Sequence, residues 1–423
     1  MTFLRSQRPR IGLRSLGKHI QHWRRRSYIV LGIETSCDDT SVCLYDRYSP
    51  SEPPKLISSL TSSLDNKEFK GIVPTRALNH HQLHLAPLVC QLLRPPNAPQ
   101  ITPDLICVTR GPGMRGSLSV GVEFAKGLSL AWGTPMVGVH HMLAHLLTPR
   151  LLTNGSAPRF PFLSLLVSGG HTMLVLSASL LDHRILANTI DIAMGDAIDK
   201  SARELGLNGN MNGPELEKLV QRYEESVAAG ENKALSKEEM AEVGIKVKLP
   251  MRPKPGRPQT AAFSFSSFVT MVKRGVAKKG GLTALSQTEV QIIAKQIQDA
   301  IFDHAVDRIT YTLSTVPREV VAGIQDFVCS GGVGSNLLLR KKLIDAFPNR
   351  ALNLHFPPPD LCTDNGRMIA WTGIEMWETA GLHSSYDIMP TAEWSLENIL
   401  GDVDGWLRED RTEQNVRPAD IAA

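Results

Sequence analysis

The chain has 423 residues, 42% hydrophobic and 21% charged, enough for two domains with real cores. No apolar run reaches the roughly 18 residues needed to span a bilayer. The six cysteines, Cys37, Cys43, Cys90, Cys107, Cys329 and Cys362, are scattered without a C-x-x-C pair, which argues against a disulfide framework or a zinc ribbon and fits a reducing compartment.

Charge is unevenly placed. Residues 1–33 carry seven Arg and one Lys, including Arg24-Arg25-Arg26, with Ser6, Ser15 and Ser27 and no Asp or Glu. A basic, acid-free leader of this kind reads as a mitochondrial transit peptide, placed over 1–27; a basic nucleic-acid-binding arm is the other reading. No apolar segment follows the charges, as a secretory signal requires. Without those eight basic residues the formal charge moves from +4 to −4, because 38 Lys and Arg then face 42 Asp and Glu. The remaining body cannot attract a polyanion by net charge and needs a local patch.

The first apolar run, 28–33, ends in Glu34-Thr35-Ser36-Cys37-Asp38-Asp39-Thr40 and is followed by 41–45: a strand, a polar turn and a second strand that open an α/β domain. A turn rich in hydroxyls and carboxylates at a strand end can meet a phosphate or a metal-bound ligand. Residues 46–70, polar and Pro-containing, read as loop. Beyond Pro74, Leu83, Leu88, Val89 and Leu92 have helical spacing. The same stretch carries His80, His81 and His84, a second candidate metal cluster in which the pairs 80/84 and 81/84 compete.

Residues 104–109 read as a strand entering Arg110-Gly111-Pro112-Gly113-Met114-Arg115-Gly116-Ser117. Gly111, Gly113 and Gly116 match G-x-G-x-x-G, but no acid follows at the distance needed to hold a ribose. A tight turn with Ser117 capping a helix over 118–132 explains the glycines as well. If the stretch 138–147 is helical, His141 and His145 lie one turn apart on one face, where two imidazoles can hold one metal ion. Packing of a Leu-rich helix is the alternative. A third ligand has to come from far along the chain, and the best candidate is Asp364 in Leu361-Cys362-Thr363-Asp364-Asn365-Gly366.

The run 162–176, with Ser168-Gly169-Gly170-His171 at its centre, repeats the strand, turn, strand pattern of 28–45. A third version, 327–336, leads into a basic helix. Glycine lets backbone N–H groups approach a phosphate, and a following helix adds the positive end of its dipole. Between these turns Asp196 and Asp199 share a helical face and suit ribose hydroxyls or amines. Residues 221–245 read as an exposed helical insertion, 250–258 as an extended linker, and Phe263-Ser264-Phe265-Ser266 resumes structure. From Val243 to Thr288 there is no acid, while Lys246, Lys248, Arg252, Lys254, Arg257, Lys273, Arg274, Lys278 and Lys279 supply nine positive charges. Such a patch positions an RNA backbone, or is a solvated loop. These residues alone lead to a metal-dependent enzyme acting on a nucleotide-like ligand held between two related lobes.

Eight blocks taken in order carry a resemblance: G-I-E-T-S-C-D-D-T (32–40), G-P-G-M-R-G-S (111–117), G-V-H-H-M-L-A-H (138–145), V-S-G-G-H-T (167–172), G-D-A-I-D-K (195–200), F-S-F-S (263–266), S-G-G-V-G-S-N (330–336) and C-T-D-N (362–365). Over roughly 29–380 the sequence resembles the tRNA threonylcarbamoyladenosine synthases, once described as sialoglycoprotein endopeptidases, and the leader makes it similar to their mitochondrial branch. The resemblance implies an α/β fold of the actin-like, sugar-kinase-like (ASKHA) kind, with two ribonuclease-H-type lobes around a cleft. The N-terminal lobe is expected over 28–150 and the C-terminal lobe over 151–380 with an insertion at 221–258. A tail, 381–423, is expected to pack partly on the N-terminal lobe.

By the same resemblance His141, His145 and Asp364 are the metal ligands, for one divalent ion per subunit, Fe(II) or Zn. Ser168, Gly169, Gly170 and His171 hold the phosphate or carbamoyl part of the donor; Asp199, Gly213 and Glu217 hold its ribose region; Asn336 meets the adenine or the metal side. The implied reaction moves the threonylcarbamoyl group of threonylcarbamoyl-AMP to N6 of adenosine 37 in mitochondrial tRNAs that read codons starting with A. Asp38 or Asp39 takes the amine proton, and Lys246, Lys248, Arg252, Lys254, Arg257, Lys273 and Arg274 contact the tRNA. A homodimer in the mitochondrial matrix, a donor made by a separate synthase and no membrane partner complete the expectation. The chain departs from the bacterial pattern at Thr75, Asn79, Asp39, Val269 and Met211-Asn212.

Three rivals are weighed. A small-molecule kinase or ATPase on the same fold wants a phosphate-binding Asp where Glu34 and Thr35 stand and leaves the His pair unexplained. A metalloprotease needs a Glu between the two His, where Met142, Leu143 and Ala144 stand. A non-catalytic tRNA-binding subunit would use only 243–288.

Overall fold

The computed structural model describes residues 27–69, 71–97, 99–209, 211–252, 259–347 and 352–408. The leader expected over 1–27 lies outside them apart from Ser27, as do 253–258 and 409–423.

Two sheets share one plan. In the first, β1 (Tyr28–Glu34), β2 (Asp39–Arg47) and β3 (Lys55–Ser63) form an antiparallel meander. Helix α1 (Pro74–Leu93) follows, then β4 (Leu105–Gly111), α2 (Arg115–Trp132) and β5 (Met136–His140), with β4 parallel to β1 and β5 parallel to β4. The order is β3-β2-β1-β4-β5. Helix α3 (His141–Leu152) leads to the second sheet, where β6 (Phe162–Val167), β7 (Thr172–Ser177) and β8 (His183–Thr189) repeat the meander.

Helices α4 (Met194–Glu204), α5 (Asn212–Ala228) and α6 (Lys237–Val243) come next. After them run β9 (Ala262–Phe263), α7 (Ser266–Lys278) and α8 (Gln287–Thr315). Strand β10 (Asp326–Ser330) then lies parallel to β6, and past α9 (Leu337–Ala346) β11 (Asn353–His355) lies parallel to β10. The order β11-β10-β6-β7-β8-β9 is the first order repeated with one added edge strand. This duplicated plan is the actin-like, sugar-kinase-like pair of ribonuclease-H-type lobes expected from the sequence.

The central strands are buried and mostly apolar, β1 as Tyr-Ile-Val-Leu-Gly-Ile before its terminal Glu34, because both faces of the sheet are covered. Helices α1 and α2 pack on the outer face of the first sheet. Helix α3 and the late helix α10 (Gly366–Ala380) fill the space between the sheets, where Leu143, Leu147, Ile369 and Trp371 meet Leu166 and Val328. Apolar side chains on all sides of α3 are what a helix enclosed in this way requires. Helix α10 packs on β1, β2, β4 and β5, so the first lobe is completed by residues from within the stretch 151–380. Strands β12 (Leu382–Ser384) and β13 (Trp406–Arg408) pair with each other, and Ser384 Oγ accepts from Gly138 N–H on β5 at 2.9 Å. Among the described residues no helix is long and apolar enough to cross a membrane.

Two elements differ from the expectation. The stretch 46–70 contains β3, an exposed edge strand whose Lys-Leu-Ile-Ser-Ser-Leu-Thr-Ser-Ser has no apolar run to betray it. Helix α2 begins at Arg115, and Ser117 lies inside it with a buried hydroxyl that caps nothing. The 221–245 insertion is helical in α5 and α6, and α6 opens with a Ser236/Glu239 capping box.

Helix α10 meets the first sheet at a point where backbone touches backbone. A Cβ on Gly32 of β1 would stand 2.3 Å from the Gly366 carbonyl oxygen and 2.9 Å from Ala370 Cβ. Only glycine lets the start of α10 sit this close to the sheet. Gly32→Ala is expected to lower stability by about 1–3 kcal/mol, the cost of overpacking a filled site. Urea denaturation reads this, and metal content should fall with it, because Asp364 lies two residues before Gly366.

Candidate metal centre and cleft

The polar turns all occur at the carboxyl ends of strands where the strand order reverses, which in α/β sheets is where ligands bind. Glu34–Asp39 follows β1 and Gly111–Arg115 follows β4; Ser168–His171 follows β6 and Gly331–Ser335 follows β10. Helix α3 starts directly from the end of β5, so His141 and His145 face this crevice from its first turns.

The metal ligands expected from the sequence come together. Asp364 Oδ1 is 3.1 Å from His145 Nε2 and 3.5 Å from His141 Nε2, and ligand atoms of the three residues lie within 4.8 Å of one another. Those two separations bracket roughly 3.4 Å, the edge of a tetrahedron with metal–nitrogen bonds of about 2.0–2.1 Å. Asp364 is 25% exposed while both imidazoles are under 10%, so the site opens on the carboxylate's side. Asn365 next to it caps α10, its Oδ1 accepting from Met368 N–H at 2.9 Å. This fixes the turn carrying Asp364 at the positive end of the helix.

Behind His141 stands Glu34, which by sequence stands out only as an obstacle to a kinase. Its fully buried carboxylate accepts from His141 Nδ1 at 3.1 Å, from Thr109 Oγ1 at 2.5 Å and from Ser36 N–H at 2.5 Å. The first of these sets a proton on Nδ1 and turns His141 Nε2 toward Asp364, where a bound cation would take the place of the second proton, an arrangement usual behind metal-bound histidines. Burial alone would depress the His141 imidazole, but Asp364 and Glu34 outweigh it and raise it to about 9. Burial likewise opposes ionisation of Asp364, and the His pair overrides it and holds the carboxyl well below its usual range. Two carboxylates facing an imidazole pair favour a cation in place of the His141 proton, so the residues fit a divalent ion. His145 Nδ1 is buried without a hydrogen-bond partner among the described residues; its carbonyl accepts from Ser330 Oγ at 3.0 Å, which ties α3 to the second lobe.

The second candidate cluster separates. His81 Nε2–H donates to Cys37 O at 2.9 Å and its Nδ1 accepts from Thr40 Oγ1 at 2.7 Å, so this histidine pins the first turn. His80 Nε2 bonds Ser62 O at 2.9 Å, and its ring lies tilted against that of His84 at 4.3 Å.

Around the ion site, burial first and then Asp38, Asp364 and Glu34 push Asp39 up to about 6. Asp38, raised mainly by burial, accepts from Asn66 Nδ2 at 2.9 Å. Ser168 Oγ accepts from Gly170 N–H and His171 N–H at 3.3 and 3.1 Å, while a Cβ on Gly169 or Gly170 would meet nothing within 4 Å. The turn is thus self-closed, with open space in front. His171 is held down to about 4 by burial and by His141 and His145 beside it.

The residues expected at the donor's nucleoside also assemble. Asp199 Oδ1 accepts from Asn212 N–H at 2.9 Å and Gly213 N–H at 2.8 Å. Glu217 bonds the Asn336 side chain and the Leu337 backbone, while Asn336 Oδ1 caps α9 through Leu338 and Leu339 N–H. Asp196, by contrast, pairs with Lys200 at 2.7 Å.

Of the expected basic patch, Lys246, Lys248, Arg252, Lys273 and Arg274 are all exposed. Ile245 is buried against α7, where a Cβ on Gly275 would stand 2.2 Å from it, and Lys248 N–H lies 3.4 Å from Met271 Sδ, so the two basic runs lie side by side. Lys254 and Arg257 lie outside the described residues. Asp191 accepts from Ser264 Oγ, Ser266 Oγ and Phe265 N–H, which accounts for the F-S-F-S block as the anchor of α7; these bonds outweigh burial and hold its carboxyl down to about 2.

Glu34→Gln keeps the shape and removes the charge behind His141. It is expected to weaken metal binding about 10–100-fold, the usual effect of removing such an outer partner. Competition against a metal-sensitive dye measures it, and an affinity within twofold of the parent would contradict the role given to Glu34.

The pattern of the tRNA N6-adenosine threonylcarbamoyltransferase family matches residues 55–371. The mitochondrial tRNA N6-adenosine threonylcarbamoyltransferase of Schizosaccharomyces pombe is 37% identical over 394 residues, 90% of each chain. Among solved structures, HypF in its phosphate- and nucleotide-bound form is similar at a TM-score of 0.40 and 13% identity, over 84% of this chain and 47% of that one. The activator of 2-hydroxyisocaproyl-CoA dehydratase from Clostridium difficile, with bound ADPNP, is similar at 0.44 and 11%, over 83% and 97%. Both are distant, and the fold assignment rests on the repeated strand order. By the family match and the extent of its likeness to the yeast enzyme, the chain belongs to the tRNA N6-adenosine threonylcarbamoyltransferases.

Proposed function

We propose that the chain transfers the threonylcarbamoyl group of threonylcarbamoyl-AMP to N6 of adenosine 37 in mitochondrial tRNAs that read codons starting with A. The observation that carries the mechanism is the cluster of His141, His145 and Asp364 backed by Glu34, set among turns that can hold an anhydride phosphate. Attack of N6 on the carbamoyl carbon forms the new C–N bond, breaks the bond to the phosphate oxygen and releases AMP. A divalent ion, Fe(II) or Zn by the donor set, would when bound act as a Lewis acid on the carbamoyl oxygen. The open Gly169-Gly170 turn would receive the leaving phosphate at the Gly169 N–H, since those of Gly170 and His171 bond Ser168 Oγ. Asp199, Gly213, Glu217 and Asn336 would orient the donor's nucleoside. Asp39, at about 6, is the better proton acceptor than an ordinary carboxylate near neutral pH, with Asp38 beside it.

The chain is read as working in the mitochondrial matrix, as a homodimer, with its donor supplied by a separate synthase. The absence of a Glu between the two His speaks against peptide hydrolysis, and the kinase alternative leaves the three-ligand cluster without a task.

Purified protein with tRNA and threonylcarbamoyl-AMP should yield threonylcarbamoyladenosine and AMP without consuming ATP. Chelation and His141→Ala should each lower the rate by about 100-fold or more, the scale of losing a Lewis acid. Product formation unaffected by both treatments would rule the mechanism out, and peptide cleavage would support the protease. For the patch, Lys246→Ala, Lys248→Ala, Lys273→Ala and Arg274→Ala combined should flatten the plot of log tRNA affinity against log salt by about 0.7–0.9 for each phosphate that is no longer neutralised. An unchanged slope would place the tRNA elsewhere.

A further inference from the structure

We propose that the acceptor adenine enters a preformed pocket walled by the C-terminal segment Ala392–Leu396, which lies beyond the residues matched by the family pattern. The inference rests on the transferase reading and adds where the acceptor base sits. The pocket, of about 370 Å3, is lined by Met142, His171, Met173, Ile185, Trp394 and Leu396 among others, a size suited to a small-molecule ligand, for which sites run roughly 300–1,000 Å3.

Its position fits the chemistry. Met142 is the residue between His141 and the rest of the metal helix, and His171 ends the turn beside the His pair. The pocket therefore adjoins the turn assigned to the donor's reacting end. The lining also selects the ligand. It is mostly thioether, aliphatic and indole, and its acidic side chain, Glu393, disfavours both a phosphate and the threonyl carboxylate. A flat, uncharged base suits it, and enzymes that modify a base within a folded nucleic acid take it out of the stack into such a site. The donor, with its phosphate and carboxylate, is better served by the turns at Ser168 and Gly331.

The wall is fixed rather than loose. Thr391 N–H donates to Arg110 O at 2.9 Å and Gly113 N–H donates to Ala392 O at 3.2 Å, so the segment pairs with the turn after β4. A Cβ on Gly111 would stand 2.0 Å from Thr391 O, and one on Gly113 would stand 2.7 Å from Ser36 O. Those glycines are needed because the segment presses on one side of the turn and Ser36 on the other. Trp394 lies 4.7 Å from the His140 ring, its carbonyl accepts from His140 Nε2 at 3.1 Å, and the Arg110 guanidinium stacks over its indole at 5.6 Å. G-P-G-M is thus the clamp that joins the wall to the turn behind His141.

The test uses full-length protein with Ile185→Trp, which fills the pocket from a partly exposed position on β8, and Leu396→Trp, which fills it from the neighbouring C-terminal segment. Each variant should lose about 100-fold in kcat/KM for tRNA, the scale of excluding one stacked base. Affinity for threonylcarbamoyl-AMP and metal content should stay within about twofold of the parent, because neither variant replaces a residue assigned to the donor or the metal, while Ile185→Val should retain activity. Transfer at the parental rate by a folded Trp variant overturns the proposal, and so does an equal loss of donor affinity. Binding is read in parallel with anticodon-loop RNA whose acceptor position is abasic. Parent protein should bind it about tenfold more weakly than intact RNA, and the Trp variants should not discriminate. Equal binding by the parent overturns the pocket even if no transfer occurs, whereas absence of transfer with clear discrimination overturns the functional reading and leaves the pocket standing.

Discussion

His141 is gripped between two carboxylates, Glu34 behind and Asp364 in front, and the site exists only if both arrive. A fully buried carboxylate is tolerated only when its lone pairs are satisfied, because the cost of removing it from water is several kcal/mol. Glu34 meets that condition with donors from its own turn, from β4 and from α3. The hydrogen bonds that make its burial possible therefore lock the ends of β1 and β4 and the start of α3 into one register. Asp364 depends on a different constraint, the close approach of Gly366 to Gly32, which sets the depth at which α10 enters the sheet.

The architecture follows from repeating one sheet plan. Each lobe presents two strand ends at its point of reversal, and the four turns there differ in chemistry. Those of the first lobe carry carboxylates and the clamp; those of the second are open and glycine-rich. Helix α3, set between them, brings its His pair to the acidic turns on one side and faces the open glycine turns on the other, two environments that a single sheet could not provide.

Much of this is legible in the residues. Largely apolar runs at 28–33, 105–108, 162–167 and 327–329 mark the central strands, because strands buried on both faces carry their own signature. The i,i+4 spacing of His141 and His145 marks the ligand pair. What stays hidden depends on tertiary partners. β3 is stabilised by its neighbour β2 rather than by its own apolar content, and α2 starts at Arg115 because packing, not the Ser117 hydroxyl, decides its first turn. Glu34 is hidden for a related reason, since a carboxylate acting through a histidine more than one hundred residues away leaves no local spacing. Its one signal is a charged residue ending an otherwise apolar strand at 28–34. The glycines of G-P-G-M match a nucleotide fingerprint by pattern, yet they answer to Thr391 and Ser36, contacts that no linear reading contains.

The return of α10 and the 382–408 segment to the first sheet has a consequence for biosynthesis. The second lobe is one continuous stretch and has everything it needs once β11 has been made. The first lobe lacks a central helix, Asp364 and the β12–β13 cover of β5 until residues 364–408 have emerged. It must wait, part-built, while its younger twin matures, so that the His141, His145 and Asp364 cluster closes only after the whole second lobe has been made.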